Sequence, residues 1–471
     1  MLPSDRTAPR RRETELLLLI LAASFALRIF LVWSGGQDYW PDEGRYGRAR
    51  FAVDALARGQ TAWATLALNQ PDHPLFVVLG LIPATAERAL GTSTKIAAAF
   101  FATFSAASIY LLWVLVRRLG GDEPLRLTAA LLFALSTTQL YYSRHLLPYD
   151  AAMAFGIGAL AAGCRSPSRP RDSVLCGLLA AAAALTYSGF WLLSGVALIA
   201  HATREARSPS LAVRRALLAG AAFALPIAIP LGTEAALGGD LARRMVAFSR
   251  TVVQGNFAEG WKLPLAYFWH AERGIAMLWG AALVWAIVRR LRGDSDEALR
   301  LGLVGAGVVY GGLVLTSVVL KRVVVYGRLA RPLVPFLCIL TALTLESLRH
   351  RSKAGRFASA AIIWLAVIQA GVNFATPLAQ VFPAEFRLLA ARIAAPPADE
   401  GTLRLLYAEH IYPVPAATPP GCDRVLLARA HPLQFLPYQY EGYRPEERAA
   451  LRATDIRMRL VVCSAEPKAE P

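Results

Sequence analysis

Arginines in this chain come in clusters, and between the clusters run apolar segments of about 16 to 23 residues. Wound as a helix with ~1.5 Å of rise per residue, such a segment reaches across a ~30 Å hydrocarbon layer. A helix satisfies its own backbone N–H and C=O groups, as lipid surroundings demand, so the repeated pattern predicts a polytopic all-α membrane protein. Composition agrees: 55% of the 471 residues are hydrophobic and 18% are charged, with a mean hydropathy of +0.41. The 50 Lys and Arg against 33 Asp and Glu leave a net charge of +17, which in a soluble chain points to nucleic acid. Here the charge lies in short loops between apolar runs, so membrane lipid is the expected partner and nucleic acid is not.

The candidate spans are 16–33, 75–90, 96–116, 124–141, 150–164, 173–188, 189–203, 211–232, 272–290, 298–320, 332–348 and 356–377. The second is short, contains Pro83 and ends in Glu87 and Arg88. Laid along the membrane surface, it leaves every arginine-rich loop on the same side as the basic N-terminus (Arg6, Arg10, Arg11, Arg12). Taken as a crossing, it moves all those loops to the other side and breaks the positive-inside rule throughout. The expectation is therefore about eleven spans in the plasma (inner) membrane, with a cytoplasmic N-terminus and residues 34–95 and 380–471 extracytoplasmic. The first apolar run is too long for the core of a signal peptide and no small-residue cleavage site follows, so it reads as a retained helix.

Residues 1–379 then form a membrane domain, and 380–471 a small soluble one. The latter alternates prolines with short apolar runs at 403–407, 425–428 and 456–462 and has helical candidates at 384–394 and 445–453, which fits a small α/β domain. Cys164, Cys176 and Cys338 sit in or beside apolar runs as structural thiols. Cys422 and Cys463 could pair if the C-terminal part lies outside the cytoplasm.

The sharpest local feature is Trp40-Pro41-Asp42-Glu43-Gly44-Arg45-Tyr46 in the first outer loop. It opens a predicted helix, with proline at its start and Gly59 at its end. Tyr46, Val53 and Leu56 share one face, which suits a helix lying on the membrane. Two carboxylates in a first helical turn have an ordinary explanation, stabilisation by the helix dipole.

The Asp-Glu pair followed by Arg-Tyr resembles the signature of the GT-C glycosyltransferases, in the branch of the protein O-mannosyltransferases and the lipid A aminoarabinose transferases. Three further stretches resemble that family in the same order. Pro71-Asp72-His73-Pro74-Leu75 is similar to an acidic-Lys/His-Pro element that introduces a juxtamembrane helix. Arg144 with Pro148-Tyr149-Asp150 is similar to an Arg-x-x-x-Pro-x-Asp stretch, and Lys321 to Pro335 is similar to a late outer loop. His73 stands where some relatives carry lysine. The resemblance covers roughly residues 10–380 and does not extend to the C-terminal part.

The resemblance implies a GT-C-like membrane domain that moves a sugar from a polyprenyl-phosphate carrier to an acceptor hydroxyl on a glycan, lipid or protein, with inversion. It implies Asp42 as the base, with Glu43 and Asp150 as further catalytic carboxylates. His73, Arg144, Lys321, Arg328 and Arg331 would hold the donor phosphate, and Arg45, Tyr46 and Tyr326 would position substrate. No cofactor is required, although a divalent metal held by Asp42 and Asp150 is possible. Each of the basic residues has an ordinary alternative, an interfacial side chain reaching lipid headgroups. The aromatic residues of loop 255–271 read first as an interface belt and second as stacking surfaces for lipid or sugar. No Walker, dinucleotide or His-Glu-x-x-His pattern occurs, so a cytoplasmic sugar nucleotide donor has no support. The competing classes are a secondary transporter or flippase, which would place ionisable groups at the midplane of two repeated halves, and a polymerase or ligase of lipid-linked glycans.

Overall fold

The computed structural model describes residues 8–33, 41–69, 72–91, 94–166, 169–204, 208–236, 239–251, 257–294, 296–323, 325, 327–374 and three strands beyond them. The helices are, in order, α1 Ala8–Trp33, α2 Tyr46–Ala57, α3 Thr61–Leu68, α4 Pro74–Leu90, α5 Thr94–Arg118, α6 Glu123–Leu135, α7 Thr137–Tyr142, α8 Tyr149–Gly163 and α9 Pro170–Thr186. They continue with α10 Trp191–Thr203, α11 Pro209–Ala236, α12 Leu241–Thr251, α13 Leu263–Glu272, α14 Gly274–Leu291, α15 Glu297–Val314, α16 Gly327–Ala330, α17 Val334–Arg351 and α18 Lys353–Asn373. Strands β1 Thr402–Ala408, β2 Cys422–Ala430 and β3 Ile456–Cys463 pair antiparallel in the order β1-β3-β2. The helical candidates at 384–394 and 445–453 lie outside the described residues.

Seven helical segments are long and apolar enough to cross a membrane: Arg12–Trp33, Thr94–Arg118, Pro209–Ala236, Gly274–Leu291, Glu297–Val319, Gly327–Arg351 and Lys353–Asn373. The protein is a helical integral membrane protein. The four other expected spans are shorter helices. The run 124–141 divides at Ser136 into α6 and α7, because the Glu272 carboxylate accepts the backbone N–H groups of Thr137 and Thr138 and the Ser136 hydroxyl. Between α9 and α10 an extended Tyr187 and a single 3-10 turn, Ser188–Phe190, make the expected corner.

Helix α8 is the centre of the bundle. Every residue of it except Phe155 is buried, and it packs against α5, α9 and α10. Its small residues make this possible. A Cβ at Gly156 would run into the Leu193 side chain of α10, and in neighbouring α9 one at Gly177 would strike the Ala219 carbonyl of α11. Helices this close gain dispersion contact along their whole length, the packing that lipid surroundings favour.

The first loop folds back on the bundle as α2, α3 and α4. Pro41–Arg45 forms a 3-10 turn before α2, and the segment stops at Gly59, whose φ of 73° suits glycine. The buried face of α2 is Tyr46, Ala49, Ala52 and Ala55, while Leu56 is exposed. The expected face of Tyr46, Val53 and Leu56 is therefore rotated. Small alanines let α2 approach α4, where a Cβ at Gly80 would sit 2.9 Å from that of Ala49.

Candidate active site

Four of the expected site residues meet in one buried cluster where α1 ends and α8 begins. Asp150 lies in the first turn of α8. It is bonded to Arg331, which opens a 3-10 turn directly before α17. Nη2 of Arg331 also donates to Gln139 Oε1 at 2.7 Å. The guanidinium carbon stands 4.7 Å from the ring centre of Tyr142 and 5.9 Å from that of Tyr149. Arg331 is 0% exposed, and its Nε and Nη1 have no hydrogen-bond partner among the described residues.

Glu43 is held beside this pair. Its Oε2 accepts the Leu146 N–H at 2.8 Å, and its Oε1 lies 3.3 Å from His145 Nδ1. This joins the 3-10 turn of the first loop to the chain between α7 and α8. Arg144, in the same connection, donates to the Leu31 carbonyl of α1 at 3.3 Å. Arg28 of α1 is also buried, with Nε donating to Ser105 Oγ at 2.7 Å. Three guanidiniums, Arg28, Arg144 and Arg331, thus share the described buried cluster with two carboxylates, Glu43 and Asp150.

His73 reaches the cluster through rings. It holds a left-handed φ of 54° at the start of α4, immediately before Pro74, a conformation that the following proline disfavours. Its ring lies 5.0 Å from that of Tyr187, which lies 4.7 Å from Tyr149, which in turn lies 5.1 Å from Tyr142 beneath Arg331. The neighbouring Asp72 accepts from Arg45 Nε at 2.7 Å and is paired with Arg48. Burial raises the pKa of this carboxyl, but hydrogen bonds from Arg48 and Arg45, and their charges, outweigh that and hold it below its ordinary value. Arg45 is thereby a fastener between α2 and the start of α4.

Other expected residues lie elsewhere. Tyr46 is in the core between α2 and α4, where burial, and next the Glu87 carboxylate, push its phenol up and keep it neutral. Lys321 is exposed, with a φ of 48°, and Arg328 is half-buried on α16, three residues before Arg331. Tyr326 and the Asp42 side chain lie outside the described residues, although the Asp42 backbone belongs to the same 3-10 turn as Glu43. Asp150 is engaged by Arg331. Among the described residues, three potential metal ligands converge in one place, Asp122, Glu346 and His350, where α6 starts and α17 ends.

Several residues were missed. Arg28 was visible as a lone charge within an apolar run. Gln139, Tyr187 and Glu272 gave no signal, because their roles come from partners far away in sequence. Glu272 is fully buried and accepts from Ser136 Oγ at 2.6 Å, Thr138 N at 2.7 Å and Thr137 N at 3.0 Å. It fixes the start of α7, and α7 presents Gln139 to Arg331.

No protein-family profile and no curated protein matches the sequence. Among solved structures, ArnT from Cupriavidus metallidurans bound to undecaprenyl phosphate is similar at a TM-score of 0.51 and 15% identity, over 81% of this chain and 69% of that one. The Archaeoglobus fulgidus oligosaccharyltransferase in the apo form gives 0.49 and 12%, over 82% and 58%. The same organism's AglB, in complex with an inhibitory peptide and a dolichol-phosphate, gives 0.48 and 14%, over 79% and 56%. This chain therefore spans somewhat more than half the length of the oligosaccharyltransferase chains it matches. The likeness to ArnT is one of fold, and it agrees with the fold that the motif resemblance implies.

Proposed function

We propose that the protein is a glycosyltransferase that moves a sugar from a polyprenyl-phosphate carrier to an acceptor hydroxyl on a glycan, lipid or protein. The carrying observation is Arg331, a fully buried guanidinium with N–H groups to spare, set against Asp150 and two tyrosine rings beside the Glu43 turn. An oxyanion suits such donors, and a planar guanidinium can bind one through paired hydrogen bonds. The undecaprenyl phosphate bound by ArnT, a protein of similar fold, has the matching chemistry.

In this reading the bond between the anomeric carbon and the phosphate oxygen breaks, and its electron pair stays on the phosphate. The acceptor oxygen forms the new bond to the opposite face, which inverts the centre. Its proton passes to Asp42, whose turn also carries Glu43. Concerted removal of that proton is worth about 10²- to 10⁴-fold. The phosphate, with a second pKa near 6, leaves without a general acid when cations hold it. His73, Arg144, Arg328 and Lys321 are the further cations of this reading, with Arg45, Tyr46 and Tyr326 as positioning residues of the first and late loops.

The arginine pattern supports eleven spans, the N-terminus in the cytoplasm, and both the site and an α/β domain of residues 380–471 outside the inner membrane. The test is to incubate the purified protein with a panel of polyprenyl-phosphate monosaccharides and follow by mass spectrometry which one is consumed in the presence of acceptor. Consumption of none of them, by protein that is folded in detergent, would remove the proposal.

A further inference from the structure

Arg28 is a charge in the interior of an apolar helix, where an ionised side chain is costly unless it is well paired. Its pairing is incomplete. Nε donates to Ser105 Oγ and Nη1 to the Ser24 carbonyl at 3.0 Å and to the Ser24 hydroxyl, all of them neutral groups. Nη2 is buried and has no partner among the described residues. Among the described residues, the charges that act on Arg28 are those of Asp150 and Arg331. Asp150 already holds Arg331, so one carboxylate serves two guanidiniums.

We infer that Arg28 is a second phosphate-binding guanidinium, whose Nη2 donates to the oxyanion that Arg331 also holds. This rests on the function proposed above. Serines from α1 and α5 fix two edges of the guanidinium and leave the third for a ligand, an arrangement that a merely charge-balancing arginine does not need. The donor phosphate is a diester with one negative charge. The leaving phosphate is a monoester with up to two, because the electron pair of the broken C–O bond remains on it. A second guanidinium therefore contributes most after the bond has broken. Arg28 is expected to favour the product over the intact donor, and so to act on kcat more than on KM.

The affinities of purified wild type, Arg28→Met and Arg331→Met for undecaprenyl phosphate, for the uncharged undecaprenol and for inorganic phosphate separate the possibilities. Arg28→Met should weaken undecaprenyl phosphate binding at least tenfold and leave undecaprenol unchanged, and kcat should fall more than KM changes. If Arg331→Met loses the lipid phosphate while Arg28→Met retains wild-type affinity, Arg28 is only a balancing charge and the inference fails alone. If wild type itself does not distinguish undecaprenyl phosphate from undecaprenol, the proposed function fails with it. Arg28-dependent binding of inorganic phosphate as tight as that of the lipid would assign the site to a free anion and overturn the donor role. Should Arg28→Met not fold, Ser105→Ala, which releases Nε alone, should weaken undecaprenyl phosphate binding severalfold, and unchanged affinity in it overturns the inference.

Discussion

Two groups of arginines lie at opposite ends of α8, and they are bonded in different ways. At its C-terminal end Arg204 donates to the Cys164 carbonyl and, at 2.9 Å, to the Arg118 carbonyl, while Arg118 donates to the Ala161 carbonyl. His201 joins them, 3.0 Å from the Gly163 carbonyl and 2.7 Å from Ser173 Oγ. These are the orphan carbonyls at the ends of α8 and α5, and cations there complete the helices and offset their dipoles. At the N-terminal end Arg331 meets side chains, Asp150 and Gln139, and keeps two nitrogens without partners among the described residues. At the C-terminal end the cations serve mainly backbone carbonyls, with Arg204 Nε also 3.4 Å from a Glu297 carboxylate oxygen, whereas at the N-terminal end Arg331 is held by side chains.

The largest effect should separate chemistry from architecture at the ligand end. Asp42→Asn should lower turnover by 10²-fold or more while the affinity for polyprenyl phosphate and the thermal midpoint stay near wild type. Near-normal turnover in folded protein would remove Asp42 as the base. Arg331→Lys should come next, with about 30- to 100-fold lost in donor use, since an ammonium cannot reproduce the fork. Donor kinetics equal to wild type would erase the contrast drawn here.

Arg204→Ala should do the reverse, lowering stability by about 2 kcal/mol through uncapped carbonyls and leaving donor affinity in place. A tenfold loss of donor affinity with unchanged melting would show that both clusters serve the ligand. The smallest effect concerns Asp72. Its folded pKa is depressed, so its contribution is complete above the ordinary carboxylate range of about 4 and is lost as pH falls through the lower folded value. The stability gap between wild type and Asp72→Asn, about 1 kcal/mol at neutral pH, should therefore close only in strong acid. A gap that closes between pH 7 and 5 would contradict the Arg45 and Arg48 pairing.

This contrast was only half legible in the sequence. Arginine clusters and apolar runs foretold the helical membrane bundle, and the order of the motifs singled out Glu43, Arg144, Asp150 and Arg331, which the structure brings together. The apolar runs at 403–407, 425–428 and 456–462 coincide with β1, β2 and β3. Nothing local told Arg204 from Arg331, because what differs is the partner. The division of 124–141 was equally hidden, since an apolar run containing Ser136, Thr137 and Thr138 breaks only when a carboxylate 134 to 136 residues away claims its N–H groups. The α2 face was misjudged because alanines signal close packing more weakly than large apolar residues do.

The Glu272 clamp on α7 sets an order of events during synthesis. At about 5 to 20 residues per second, the ribosome needs roughly 7 to 27 s after Ser136 to deliver its partner, 136 residues later. Arg331, which grips Gln139 across 192 residues, comes later still. Through that interval the nascent chain holds unsatisfied N–H groups at the start of a six-residue helix too short to persist alone. The first half of the bundle is therefore completed by its second half, and a chain released before α13 should be recognised by quality-control proteases as unfinished at this junction.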